Sequence, residues 1–508
     1  MPSKTAAPEV KTETAVKAHT GAGKSYFRGR LAWQDAARFA GVSAALLIPV
    51  YWHLRIEAGD LASHVYNAWL AQLIRQGQAP GLWIARQWNN VLFDLLLGWL
   101  GSAFGLRLAE RIAVSFAVLI FFWGAFALIH ATTRRAPWTL SPIIAVFAYG
   151  WTFEMGFMNY YISLGLCFLA LAVFWRGGNG GRLLSLALIP LIWMAHPLGV
   201  ICLVALAAYA TLAKALQPRY HGYLLFAAGM FLLGVRTFLA RRYEVRWNPL
   251  ARYFFFNGAD QLALYGSRYY LLYALLAALF LVALTMDASS QWREAGFWDA
   301  RGIPLQLYLA IGIASVLLPT RVKLPQYAAP LSYLTPRLSS VSGILACCML
   351  GAMKPRKWHA TGYAVIAAVF FIFLYIDTGF LNRMEEQVER SVAALPPGRR
   401  VVDDIDSGDE FRVGFEHILD RACIGRCFSY DNYEPSSGQF RVRAVPGNSI
   451  VEAPAAANSN APSREDLAKA LGSPIYDISQ CDGSSVNICV RKLSADEIDD
   501  LLDDDSQP

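Results

Sequence analysis

The chain has 508 residues, of which 55% are hydrophobic and 16% are charged, and its formal net charge is +7. Its mean hydropathy of +0.34 excludes an ordinary soluble protein of this length and predicts a polytopic membrane protein. The lipid bilayer is therefore the first expected partner, and nothing in the sequence indicates binding to nucleic acid.

Residues 1–35 form a polar tail whose composition is typical of a disordered segment. Basic residues from Lys4 to Arg30 predict, by the positive-inside rule, that this tail is cytoplasmic. The first apolar run lacks a small-residue cleavage site after it, so we expect it to remain as an anchor.

Apolar runs of membrane-spanning length occupy residues 36–378 and predict about eleven transmembrane helices. These runs centre near 37–54, 110–130, 138–152, 159–175, 183–195, 197–213, 222–240, 268–286, 303–319, 338–353 and 359–378.

A further apolar run, 91–105, contains Asp94 and several glycines. If this run does not span, every later cytoplasmic turn is basic, as the positive-inside rule requires. We therefore interpret it as a helix lying in the membrane interface, within a large first outer loop at 55–109. The odd number of spans then places the C-terminus outside.

Residues 379–508 are polar and end in the acidic run DEIDDLLDDD. They predict a separate extracytoplasmic domain of the α/β or α+β class, attached to a mainly α membrane domain. Its local patterns predict helices at 381–394 and 463–471, strands at 399–405, 474–479 and 486–493, and a flexible loop with the sequence EAPAAANSNAPS.

Eight cysteines divide equally between the apolar runs and the C-terminal domain. Those in the apolar runs are predicted to be packing residues. The outer four favour disulfides Cys423–Cys427 and Cys481–Cys489, although three connectivities are possible. A zinc site is the alternative, but C-x3-C and C-x7-C are not usual zinc spacings.

The first outer loop opens with EAGDLASHVYNAWLAQLIRQGQAP, an amphipathic pattern that begins at Glu57. A helix starting near Asp60 would present Asp60, His64 and Asn67 on one face. These groups are candidates for acid–base chemistry and ligand binding. The alternative is that Asp60 only caps the helix and His64 satisfies a neighbour.

Positive charge also collects in two later loops that are predicted to lie outside. Guanidinium groups match phosphate oxygens, so this charge could recognise an anionic head group or phosphate. The alternative is snorkelling of long side chains at the interface, or an inverted topology. The candidate cations are Arg241, Arg242, Arg321, Lys323 and Arg337.

Short motifs in the first loop, in the turn FEMGF and at the start of the C-terminal domain form a larger pattern. The first loop begins with an acidic residue, continues through a helix that ends in the G-x-x-P turn GQAP, and leads into a helix entered by F-G and A-x-R. The turn FEMGF carries another carboxylate, and VERSVAALPPGRRVVDD opens the C-terminal domain. This pattern resembles the GT-C superfamily of multi-span glycosyltransferases, which take sugar from polyprenyl-phosphate donors. The residues that carry it are Asp60, Glu57, Phe104, Gly105, Ala109, Arg111 and Glu154.

The resemblance implies sugar transfer from a polyprenyl-phosphate donor to an acceptor of unknown identity on the outer face of the membrane. Asp60 would be the general base, with Glu57 and Glu154 in reserve. His64 and Asn67 would bind substrate, and the outer arginines would neutralise the leaving phosphate. No metal cluster or other cofactor motif is evident, although a divalent metal is compatible with this chemistry.

His196 precedes Pro197 at a predicted outer helix end, where it could face the same cavity or simply separate two helices. Two other functions stay open for the whole chain, a lipid or solute transporter or flippase and a non-catalytic membrane assembly subunit. The middles of the predicted spans are almost free of charge, which favours a surface reaction over a translocation path. Basic turns and an oxidising outer domain favour a bacterial inner membrane, with the C-terminal domain periplasmic or extracellular.

Overall fold

The computed structural model describes residues 22–247, 258–295, 302–327, 330–353, 356–405, 417–430, 432–445, 448, 450–451, 475–481, 487–494 and 497. The chain divides into two compact units, Met1–Ile48 and Pro49–Pro508. Helix α1, Ala22–Tyr51, begins in the first unit and ends in the second. The predicted tail before residue 22, the helix at 463–471 and the acidic C-terminal run lie outside the described residues.

The second unit is mainly helical, as predicted. Its helices are α2 Leu61–Arg75, α3 Leu92–Phe104, α4 Leu106–Thr133, α5 Ser141–Ala148, α6 Trp151–Glu154, α7 Met158–Arg176, α8 Gly178–Ala195, α9 Pro197–Ala215, α10 His221–Arg242, α11 Arg268–Ala295, α12 Ile303–Leu317, α13 Leu334–Ala352, α14 Lys357–Ala393, α15 Ile418–Cys423 and α16 Glu434–Ser437. Its strands are β1 Leu82–Ile84, β2 Glu244–Arg246, β3 Arg321–Lys323, β4 Arg400–Asp404, β5 Phe428–Ser429, β6 Val442–Ala444, β7 Ile475–Gln480 and β8 Ile488–Lys492.

Six helices in the described part of the chain are long and apolar enough to cross a membrane. This finding supports the prediction of a membrane protein. Helix α3 has 13 residues and is about 20 Å long, which is shorter than the ~30 Å hydrocarbon core. The six helices are Leu106–Thr133, Met158–Arg176, Pro197–Ala215, Pro218–Arg242, Leu334–Ala352 and Lys357–Ala393.

Helices α4 and α7 pack closely because glycines face each other at their crossing. A Cβ added to Gly124 would lie 2.2 Å from the carbonyl oxygen of Gly165, so neither position accepts a side chain without separating the helices. The rings of Phe121 and Tyr161 stack beside this contact with centroids 4.6 Å apart. This tight pair fixes the start of α7, which contributes residues to the site described below.

The C-terminal region contains a mixed four-stranded sheet in the order β5-β4-β7-β8. Strand β4 pairs in parallel with β5 and β7, and β7 pairs antiparallel with β8. The three strands predicted in this region are therefore confirmed. Both predicted disulfides, Cys423–Cys427 and Cys481–Cys489, are formed, and the four remaining cysteines are buried and free.

The first loop and the C-terminal region share one hydrophobic core. Tyr66 and Leu70 of α2 pack in the same cluster as Val401, Ile418 and Ile478. Strand β1 of the first loop pairs antiparallel with β6. Helix α14 also runs unbroken into this core, so the predicted helix at 381–394 forms the end of a 37-residue helix. The C-terminal region is thus built onto the first loop.

A buried ionic network holds the two regions together around Arg421 of α15. Its guanidinium donates hydrogen bonds to Glu385 Oε2 at 2.9 Å, to Glu110 Oε1 at 3.0 Å and to the backbone carbonyl of Ile56 at 2.8 Å. Although burial lowers the pKa of Arg421, Glu110 and Glu385 raise it above its ordinary value. Arg421 therefore stays charged and joins α15, α14, α4 and the segment before α2.

We expect Arg421→Met to destabilise the protein, because two buried carboxylates would lose their common cation. Removing one partner of a buried ion pair costs about 3–5 kcal/mol. The matched control is Arg390→Met, because Arg390 pairs with Glu386 on an exposed face of α14. Thermal unfolding in detergent should show a large fall in melting temperature for Arg421→Met and none for the control, and equal effects would contradict the network's role.

Candidate functional site

Asp60 lies at the N-cap position of α2, but its carboxylate makes no capping hydrogen bond. Its backbone N–H instead donates to the carbonyl of Met155 at 3.2 Å, which holds the start of α2 against the turn after α6. The side chain is 17% exposed. Asp60 therefore occupies the cap position without the capping hydrogen bond, and its carboxylate faces another side chain instead.

A histidine from the C-terminal region faces Asp60. The Nε2 of His417 lies 3.6 Å from Asp60 Oδ1. The Nδ1 of the same ring lies 3.1 Å from Oδ2 of Asp420, a carboxylate that is almost fully buried. A carboxylate on one ring nitrogen orients the imidazole and directs the other nitrogen, as in many acid–base sites. His417 is thus positioned to act on a group bound at Asp60.

Arg337, near the start of α13, supplies the nearby positive charge. Its guanidinium packs over the ring of Phe157 at 4.1 Å from the centroid. Its Nε is buried and has no hydrogen-bond partner, and in the described residues the side chain forms no ion pair. Asp60 is among the charges that act on this guanidinium. A buried guanidinium nitrogen without a hydrogen-bond partner is costly, so this arrangement fits a site for an anion.

His64 belongs to a second charged group beside Asp60. Its Nδ1 lies 2.8 Å from Asp94 Oδ1, and the Asn159 amide donates to Asp94 Oδ2 at 2.8 Å. Burial lowers the pKa of His64, but the Asp94 carboxylate and its hydrogen bond outweigh that effect and raise the pKa to about 9. His64 is therefore an imidazolium at neutral pH, and Asp94 is its structural partner.

Asn67 and Glu434 complete this buried polar group. The side-chain amide of Asn432 donates to Asn67 Oδ1 at 3.1 Å, and Ser63 Oγ donates to Glu434 Oε1 at 3.0 Å. Burial raises the pKa of Glu434 to about 8. Asn67 is thus engaged in linking α2 to the segment before α16, and Glu434 is largely protonated at neutral pH.

The two reserve carboxylates, Glu57 and Glu154, line the same small cavity, which has a volume of about 10 Å³. Glu57 accepts a hydrogen bond from Asn382 at 2.8 Å, and Glu154 accepts one from Tyr265 at 2.6 Å. Burial and the neighbouring Glu385 raise the pKa of Glu57 well above its usual range, and burial raises that of Glu154 to about 8. Both are held in structural contacts, unlike Asp60.

The other predicted cations lie on different elements from Arg337. Arg241 and Arg242 are exposed at the end of α10, beside an apolar groove along that helix. Arg321 and Lys323 are exposed on β3, which pairs with β2. Among the described residues, no ion pair joins any of them to Asp60. They flank a helix end that can face lipid head groups.

His196 lies at the start of α9, and Arg337 is among the charges that act on its imidazole. Its Nδ1 accepts a hydrogen bond from the backbone N–H of Leu198 at 3.1 Å, and it caps α9. Its carbonyl accepts from Ser163 at 2.9 Å. The imidazole is therefore engaged in joining α8 to α9.

Several site residues were not found in the sequence. Asp94 stood out only as a charge in an apolar run, and His417 and Asp420 stood in an i, i+3 pair without any surrounding motif. Glu434 lies in a segment that could equally be a surface loop. Glu434 reaches its site partner across 371 residues of chain and Asp94 across 30, and local patterns do not encode such contacts.

Within the described residues, no group of three or more His, Cys, Asp or Glu side chains is arranged to hold a metal ion. The acidic groups near Asp60 are instead paired with His417, His64 and Ser63. The chemistry available to these residues is proton transfer and anion binding.

Comparison with protein-family models, with curated proteins and with solved structures finds no match for this chain. Its function is therefore inferred from the geometry of the site.

We expect Gly156→Ala to displace Asp60. Gly156 has a φ of +73°, and an added Cβ would lie 2.4 Å from the backbone nitrogen of Asp60. Gly178→Ala is the control, because Gly178 has a φ of +53° and its Cβ would meet nothing within 4 Å. The control carries only the left-handed backbone strain of about 1 kcal/mol. Melting temperature should fall clearly more for Gly156→Ala, and equal falls would show that the contact with Asp60 tolerates a methyl group.

The raised pKa of Glu434 predicts a stability that falls with rising pH. Between an ordinary pKa of 4.5 and a folded pKa of about 8, the folded state holds a proton that the unfolded state has released. Stability therefore declines across this window and levels off above it. His64 adds the same trend between 6.5 and about 9.

In Glu434→Gln, which does not titrate, the melting temperature should fall less than in the wild type between about pH 5 and pH 8. Glu386→Gln, at an exposed carboxylate, should keep the wild-type slope. Identical slopes for wild type and Glu434→Gln would mean that Glu434 is ionised in the folded protein.

Proposed function

We propose that the chain is a membrane glycosyltransferase that moves a sugar from a polyprenyl-phosphate donor to an acceptor hydroxyl. The observation that carries this proposal is that the Asp60 carboxylate acts electrostatically on Arg337 without forming an ion pair with it. One offers a carboxylate without a capping bond, and the other a guanidinium without a partner among the described residues. Glycosyl transfer from a lipid phosphate needs these two groups, a base and a site for an anionic leaving group.

In the proposed reaction, Asp60 takes the proton of the acceptor hydroxyl. The acceptor oxygen forms a bond to the anomeric carbon of the donor sugar. The bond from that carbon to the phosphate oxygen breaks, and its electrons leave with the lipid phosphate. Arg337 neutralises the charge of the leaving phosphate. His417, oriented by Asp420, positions the Asp60 carboxylate and can receive its proton.

The membrane is the source of the donor. Six helices suited to a membrane support a donor whose apolar tail stays in the bilayer while its phosphate reaches Arg337. We place the protein in a bacterial inner membrane, with about eleven spans, a cytoplasmic N-terminus and the site on the outer face. The exposed arginines at the end of α10 and on β3 would attract anionic head groups toward this region.

A transporter or flippase is supported less well. Carriers place ionisable groups along a path through the membrane. The buried carboxylates in α4 and α14, Glu110 and Glu385, are instead bound by Arg421. A non-catalytic assembly subunit has no need for the unpaired Arg337, because burying an uncompensated charge is expensive.

We expect Asp60→Asn to lower sugar transfer by about a hundred-fold to ten-thousand-fold, since the base would be lost. The assay supplies the purified protein in lipid with a mixture of polyprenyl-phosphate sugars and measures consumption of each donor. Glu386→Gln, which changes an exposed carboxylate on α14, is the matched control and should retain activity.

Arg337→Met should also lower transfer while the protein remains folded. Full activity of Asp60→Asn would show that Asp60 is not the base. If the wild type consumes no donor while its melting curve shows a folded protein, the transferase proposal fails.

A further inference from the structure

Two partly exposed tyrosines lie beside neighbours of Asp60 and Arg337. Tyr333 is 41% exposed, and its ring lies 5.8 Å from the ring of Phe157, which packs under the Arg337 guanidinium. Tyr433 is 36% exposed, and its ring lies 5.4 Å from the ring of His417, the neighbour of Asp60. Tyr333 therefore lies beside the ring that packs under the cation, Tyr433 lies beside the imidazole that faces the carboxylate, and both act on Arg337.

Two residues of this arrangement have a strained backbone conformation. Tyr333 has a φ of 59° and His417 a φ of 69°, the left-handed region that bulky side chains avoid. They are two of the four non-glycine residues with positive φ among those described. Such strain costs about 1–2 kcal/mol per residue and persists where the surrounding structure fixes it, often at binding sites. The Tyr333 carbonyl also accepts the Arg337 N–H at 3.2 Å.

The combination of aromatic rings with a carboxylate and a guanidinium indicates which class of ligand fits this site. A phosphate alone needs cations and gains nothing from aromatic rings. A sugar ring presents polarised C–H groups on one face and hydroxyls around its edge. Those C–H groups are attracted to the negative face of an aromatic ring, and the hydroxyls can bond to a carboxylate or an imidazole. A carbohydrate therefore matches a tyrosine next to Asp60 and His417.

We infer that Tyr433 binds the acceptor and that the acceptor is itself a carbohydrate. This inference rests on the proposed function, because it assigns the Asp60 side of the site to the group that loses a proton. Tyr333, on the Arg337 side, then borders the sugar that is attached to the donor phosphate. An acceptor of protein or of lipid alcohol would not need a ring-stacking surface beside the base.

Direct binding tests the inference without requiring catalysis. The full-length protein in lipid nanodiscs is mixed with a panel of methyl hexosides and methyl pentosides, and saturation transfer from protein to ligand is measured by NMR. At least one glycoside should receive saturation, most strongly at its ring C–H groups. Tyr433→Ala should weaken binding by about ten-fold, the effect of losing one aromatic contact.

Two variants distinguish stacking from a folding defect. Tyr433→Phe keeps the ring and should bind nearly as well as the wild type, whereas loss of binding here would point to the hydroxyl group. Tyr270→Ala removes a tyrosine that is 52% exposed on α11, and should leave binding unchanged. Absence of saturation transfer to every glycoside, or unchanged binding in Tyr433→Ala, would overturn the inference.

The results also separate the two proposals. If donor consumption depends on Asp60 but no glycoside binds at Tyr433, the transferase stands and the carbohydrate acceptor is wrong. If glycosides bind at Tyr433 but no donor is consumed, the sugar site stands and the transferase is wrong.

Discussion

The buried guanidinium of Arg421 is the contact on which the site depends. It binds carboxylates from two membrane helices, Glu110 and Glu385, and a backbone carbonyl of the segment that leads to Asp60. His417 and Asp420 precede Arg421 directly in the chain. The same anchor that fastens the C-terminal region to the membrane helices therefore sets the imidazole against the Asp60 carboxylate. Burying these charges is tolerable only because they compensate one another.

Local patterns in the sequence predicted part of the elements. The apolar runs predicted helices of the right character, alternating residues predicted strands β4, β7 and β8, and cysteine spacing favoured the two disulfides that form. These features follow from periodicity and from short-range closure, which a single sequence records. Helix α2 was predicted for the same reason, together with the shared face of His64 and Asn67, both of which are buried.

Such local patterns do not predict which distant residues come together at the site. Whether Asp60 caps its helix depends on the position of Met155, whose carbonyl takes the Asp60 N–H in a contact across 95 residues of chain. The partner of His64 lies in α3, and the imidazole near Asp60 comes from the C-terminal region. The sequence predicted a separate outer domain because its composition changes near residue 379. Composition indicates which segments are exposed to solvent. It does not predict tertiary packing, and it is tertiary packing that joins α2 and the C-terminal strands in a common core.

The distribution of charge explains why Asp60, among the three predicted carboxylates, suits the role of a base. Glu57 and Glu154 are buried and hydrogen-bonded, and burial raises the pKa of both carboxyl groups. A protonated acid cannot accept a proton from a hydroxyl. The Asp60 carboxylate keeps partial exposure, and it is among the charges that act on Arg337. Glu57 and Glu154 are thus tied into the fold by their hydrogen bonds, whereas the Asp60 carboxylate is partly exposed.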